Sequence, residues 1–241
     1  MGSTSPPDVL TSIANLGEAN TRLVAAVNSA IAAGGHDAFA APSRLPNWTV
    51  GHVVTHLARN ADGLRRVLEG ARVGEQLQPY DSPQAREDDI QAGALRSTAA
   101  IATDFREADH QLSAIVDSLP AETWSFTVNL GRGGPTTADV VLAARLGEVE
   151  IHHHDLGVDG GLALLDDAQG HRLLAALLRS YVRTRDVTGL TLEPEGGEPI
   201  VIGAGGAPIG GRVVDLVGWL SGRTDGSTLR TSGVLPRLPT W

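Results

Sequence analysis

The chain has no cysteine. No disulfide can form, and no thiolate of its own can bind a metal or attack a substrate. Any sulfur chemistry therefore needs a thiol brought from outside. Lysine is missing as well, so all 19 basic residues are arginine. That removes Schiff-base catalysis by a lysine amine. Basic charge is in deficit, and the formal net charge is −9. A general nucleic-acid binder needs a basic surface for phosphates, so that class is excluded. A small anion held by one local arginine is not. No apolar run approaches the roughly 20 residues of a membrane span. The opening stretch Met1-Gly2-Ser3-Thr4-Ser5-Pro6-Pro7 lacks the basic and apolar regions of a signal peptide and reads as a disordered leader. The expectation is a cytoplasmic monomer acting on small molecules, with no membrane and no nucleic acid as partner.

With 241 residues, 41% of them hydrophobic, the chain can form one large domain or two modest ones. Leu10, Ile13, Leu16, Leu23, Val24 and Val27 share a broad helical face over about 8–33, and Gly34-Gly35 stops it. Thr49 caps a second helix expected to reach Glu69, with Gly70 just beyond. Ser82-Pro83 opens a third, which breaks near Gly93 and continues to about Leu119. Residues 124–130 read as a short extended pair or a loop. Thr137 then caps a helix to Leu156, ended by Gly157. Four long helices in this order read as a bundle. The remainder changes character. It shows a helix over about 166–185, strand-like runs at 189–193 and 199–202, a compact helix over 212–222, and a last strand at 228–231. The pairs Gly205-Gly206 and Gly210-Gly211 read as turns. The expected fold is α plus α+β: a bundle over 8–160 and a small α+β domain over 161–241.

Three stretches carry chemistry. The first holds His52 and His56 on the second helix. Val53, Leu57, Asn60, Leu64 and Val67 form its apolar stripe. His56 lies at the margin of that stripe and His52 further round, so His56 is the better inward-pointing ligand. Asn60, one turn on, is a candidate partner behind it. The alternative is a hydrogen-bonded core histidine. The second stretch is Glu148-Val149-Glu150-Ile151-His152-His153-His154-Asp155. Glu148, His152 and Asp155 recur at i, i+4 and i+7 on one helical face. Glu150 and His154 are also four apart, in the opposite gap, and the wheel alone does not choose between the pairs. A solvated acidic face with incidental histidines is the plain alternative. The third feature is Arg86, in the first turn of its helix, where the dipole disfavours a cation. A guanidinium there suits a carboxylate anchor; the alternative is a surface pair with Glu87 or Asp89. Two imidazoles and a carboxylate are what a zinc site with an open fourth position needs.

At these residues the chain resembles the mycothiol-dependent maleylpyruvate isomerase family, within the DinB-like metal-binding four-helix bundles. The resemblance rests on four stretches. They are Trp48 through Ala61, Tyr80-Asp81-Ser82-Pro83-Gln84-Ala85-Arg86, Glu148 through His152 with Asp155-Leu156-Gly157, and a tail with Ser221-Gly222-Arg223, Asp225-Gly226 and Trp241. It implies metal ligands at His56, Glu148 and His152 and a functionally required arginine at Arg86. It implies zinc or another divalent metal, mycothiol as the thiol cofactor, and a C-terminal domain similar to the sterol-carrier-like α+β module. Asp155 is a lesser candidate for orienting a ligand. Relatives usually carry apolar residues at one or both of the positions of His153 and His154.

The implied reaction is cis-to-trans isomerisation of 3-maleylpyruvate to 3-fumarylpyruvate in gentisate breakdown. The thiol displaces a metal-bound water, adds to the conjugated double bond as thiolate, and leaves after the bond has rotated. Arg86 would hold a substrate carboxylate. Two competing readings use the same residues: a mycothiol S-transferase, and a non-catalytic metal-containing binding or stress protein.

Overall fold

A computed structural model describes residues 9–131, 133–180 and 189–238. The leader read at residues 1–7, the end of the helix expected at 181–185 and Trp241 lie outside the described residues. The chain divides into two compact units, one up to Gly161 and one from Leu162.

The first unit is helical. α1 (Val9–Gly34) buries Leu16, Ala19, Leu23, Ala26, Val27 and Ala30 at helical spacing. Leu10 is 74% exposed, so the buried stripe is narrower than the sequence pattern implied. α2 (Val50–Val73) starts at Thr49, whose side chain accepts from the His52 backbone while the His52 ring accepts from the Thr49 backbone. α2 runs past Gly70. A Cβ there would meet the Glu75 carbonyl at 2.7 Å and Leu77 Cγ at 2.8 Å, so Gly70 admits the returning chain rather than ending the helix. Gly74, at φ 78°, is the C-cap. α3 (Pro83–Ala94) is capped by Ser82, and α4 (Thr98–Ser118) by Ser97. The third long helix of the sequence reading is thus two helices. β1 (Thr127–Asn129) and β2 (Pro135–Thr137) form an antiparallel hairpin. Thr137 is held in that hairpin and hydrogen-bonds Asp139, so it does not cap the next helix. α5 (Val140–Leu156) begins after Asp139 and ends at Gly157, φ 72°. α2 packs against α3, α4 and α5, and α1 packs against α5. α5 is buried nearly all round, which explains why its wheel shows no single apolar face.

The second unit has α6 (Asp167–Ser180), α7 (Val213–Leu220) and a four-stranded sheet. Its strands are β3 (Gly189–Pro194), β4 (Ile200–Gly203), β5 (Pro208–Gly211) and β6 (Arg230–Thr231), ordered β4-β3-β5-β6. β3 pairs parallel with β5 and antiparallel with β4. Gly210 and Gly211 belong to β5 and not to a turn. A Cβ on Gly211 would meet Leu229 Cδ2 at 2.7 Å, so glycine here allows close packing. Among the described residues, no helix is long and apolar enough to cross a membrane.

Candidate functional site

α2 and α5 lie side by side in the first unit and bring His56, Glu148 and His152 together. One donor atom from each lies within 4.8 Å of the others. His56 Nε2 is 2.8 Å from Glu148 Oε2. His152 Nε2 is 3.3 Å from the same oxygen. The two imidazoles meet edge to face, centroids 4.5 Å apart. Both rings are buried, whereas the Glu148 side chain is 24% exposed, so the cluster has an open side.

Both imidazoles have their outer sides engaged. His152 Nδ1 is 2.8 Å from Asp155 Oδ2, one turn on. That carboxylate lies on the far side of the ring from Nε2, the place carboxylates take behind metal-binding histidines. His56 Nδ1 is 2.9 Å from Arg86 Nη2, and the Trp48 ring packs edge-on against His56 at 5.9 Å. Arg86 comes from α3 and lies 5.6 Å from the Tyr80 ring centroid. Neither Glu87 nor Asp89 pairs with Arg86. Among the described residues no carboxylate does.

Burial and neighbours set the charges. Burial, with repulsion from His152 behind it, lowers the His56 pKa to about 4 despite its contact with Glu148. His56 is neutral at pH 7. Burial opposes a charge on His152, but the Asp155 and Glu148 carboxylates beside it outweigh it and raise its pKa. Burial also opposes the charge on Glu148, yet hydrogen bonds from His152 and His56 hold its carboxyl well below the usual range. Burial raises the Tyr80 phenol, against the nearby Arg86 charge. The donor set of two imidazole nitrogens and one carboxylate oxygen fits a divalent cation with an open position.

The other sequence candidates have other partners. His52 serves the cap of α2 and reaches Gln91 at 3.2 Å. Glu150 points to α1, where its carboxylate pairs with Arg22. His154 takes Arg44 Nη1 at 2.7 Å. His153 lies 2.9 Å from Asp159. These contacts separate Glu150 from His154 and leave Glu148 with His152. Asn60 is buried, but its carbonyl accepts from Arg145 Nη1 at 2.8 Å rather than from a ring nitrogen of His56. Two neighbours, Gly63 and Arg145, went unread in the sequence. Gly63, two turns beyond His56, has no Cβ, and one would meet the Pro79 carbonyl at 3.0 Å and Tyr80 Cε1 at 3.1 Å. That gap is what seats Tyr80 against α2. Arg145 is 0% exposed and donates to the Leu57 carbonyl at 2.9 Å, to Asn60, and to Asp109 at 3.1 Å. An arginine three residues before Glu148, among apolar neighbours, was the available signal.

The family model for the mycothiol maleylpyruvate isomerase N-terminal domain matches residues 18–157. Two crystal structures of a mycothiol-dependent maleylpyruvate isomerase, one of a histidine-to-alanine mutant, share the fold. Each aligns over 97% of this chain and 97% of its own, with TM-score 0.80 and 23% or 22% identity. A search of curated proteins gives no significant match. The family match spans more than half of the chain and includes both helices of the His56–Glu148–His152 cluster, so this chain belongs to the mycothiol maleylpyruvate isomerase family of enzymes.

Proposed function

We propose that this protein isomerises 3-maleylpyruvate to 3-fumarylpyruvate with mycothiol as the thiol, at a divalent metal held by His56, Glu148 and His152, as a step of gentisate breakdown. The observation that carries the reading is the convergence of those three donors beside an arginine that, among the described residues, no carboxylate pairs with. When bound, the metal and the thiol supply a stabilised thiolate whose reversible addition to a conjugated double bond lets that bond rotate. The protein's own residues do the rest. Neutral His56 and charged Glu148 need shed no proton to ligate at pH 7, and the Asp155 carboxylate lies behind the His152 ring. Arg86 presents a guanidinium fork to a substrate carboxylate and fixes the alkene beside the thiol. Tyr80, protonated at neutral pH, limits where that guanidinium can go. The absence of cysteine agrees with an external thiol. A reduced low-molecular-weight thiol is kept in the cytoplasm, which is where we place the reaction.

The test follows maleylpyruvate by its ultraviolet absorbance, with and without mycothiol, on zinc-loaded protein. Absorbance change with the fumaryl isomer as product, only when thiol is present, supports the reading. Accumulation of a stable thiol conjugate instead would assign a mycothiol S-transferase.

A further inference from the structure

Arg86 Nη2 faces His56 Nδ1 at 2.9 Å. A guanidinium donates at every nitrogen and keeps its protons in proteins. The Nδ1 it faces therefore offers a lone pair. On the other side of the ring, Nε2 lies 2.8 Å from the Glu148 carboxylate, an acceptor, and carries the hydrogen. The two neighbours together select one tautomer. A neutral imidazole has one lone pair to give, and in this tautomer Arg86 has it.

Ligation of a cation by His56 is incompatible with that contact at either nitrogen. If the cation takes Nε2, the ring hydrogen moves to Nδ1, and two donors then face each other. If it takes Nδ1, it occupies the place of Arg86. The guanidinium must turn away in both cases. It sits on α3, half-buried, with the Tyr80 ring beside it and no carboxylate pairing with it among the described residues.

We propose that Arg86 is a positioning residue for His56 as well as an anchor: it competes with the divalent cation for the imidazole, so that cation binding hands the guanidinium to the substrate carboxylate. This rests on the metal reading above. It predicts an order, cation first and carboxylate second, built into one hydrogen bond.

The experiment is a zinc titration against a chromophoric chelator on the full chain and on Arg86→Met and Arg86→Gln. Far-UV circular dichroism confirms that each variant is folded. Arg86→Met removes the competitor, and zinc binds roughly tenfold tighter or more, the size of one charge-assisted hydrogen bond. Arg86→Gln binds tighter still, because its carbonyl accepts the Nδ1 hydrogen that ligation through Nε2 creates. Equal gains in the two variants would reduce the effect to removal of a charge and overturn the competition. Affinities no tighter than that of the unsubstituted protein would overturn it too. A second arm uses maleate, a cis-dicarboxylate. Zinc improves maleate binding to the unsubstituted protein more than to Arg86→Met; an equal improvement in both contradicts the hand-over. If the unsubstituted protein binds no zinc, the metal reading itself fails, and that result is distinct from the others.

Discussion

Arg145→Met removes a charge that is 0% exposed and leaves three acceptors facing a thioether. The Leu57 carbonyl keeps its place in the α2 hydrogen-bond ladder, so it is not orphaned. Asn60 and Asp109 lose their donors. Breaking a buried ion pair by removing one partner costs about 3–5 kcal/mol. The Asp109 side chain is 15% exposed, and water relieves part of that cost, which points to the lower end, about 3 kcal/mol. For a protein of this size that is a fall in melting temperature of about 6–12 °C. Methionine fills most of the arginine's volume, so little of the loss comes from a cavity. The assay is urea and thermal unfolding followed by far-UV circular dichroism. Arg145 bonds residues one and four positions beyond His56 and itself precedes Glu148 by three. Zinc retention therefore falls with stability. Replacing the whole polar set, Arg145→Met with Asn60→Leu and Asp109→Leu, recovers part of the stability, since no charge is then left unpaired. A loss below about 1 kcal/mol for Arg145→Met alone would refute the reasoning, because it would mean the charge is solvated in the folded state.

Asp155→Asn keeps the shape behind His152 but removes the charge, and it lowers zinc affinity about 10–100-fold; a chelator titration at fixed pH reads this directly. Metal retention depends on pH through the three donors. His56 stays neutral down to about 4 and Glu148 stays charged, whereas His152 has a raised pKa and is the first to take a proton as pH falls. Zinc affinity therefore falls on acidification first through protonation of His152, and a chelator titration across pH reads the decline. Gly63→Ala presses the Pro79 carbonyl and the Tyr80 ring back from α2 by a few tenths of an ångström. Overpacking costs about 1–3 kcal/mol, less about 1 kcal/mol gained in helix propensity, and thermal melts of the variant measure the net loss.

Much of the site was legible because it lies on two regular helices. The stripe Val53, Leu57, Asn60, Leu64 and Val67 is buried throughout, and it put His56 rather than His52 on the inward edge. The i, i+4, i+7 spacing put Glu148, His152 and Asp155 on one face. What the spacing left open was which acid–imidazole pair of α5 shares a site. Both sides of that helix are covered, so the wheel has no solvent face to refer to. The answer comes from residues far away in the chain, Arg22 taking Glu150 and Arg44 taking His154. Local signals failed where tertiary contacts override them. Gly70 and Gly211 are required by close neighbours and not by turns, and Thr137 is held by its hairpin. Arg145 went unread because a mid-helix arginine looks exposed until three acceptors are seen around it.

The most direct test is a count of zinc. Chelator-treated protein is reloaded, freed of excess metal and analysed by atomic emission beside His56→Ala, Glu148→Gln and His152→Ala, each shown by circular dichroism to be folded. The account predicts one zinc per chain in the unsubstituted protein and loss of it in every variant. No zinc in the unsubstituted protein, or full occupancy in a folded His56→Ala, would contradict it.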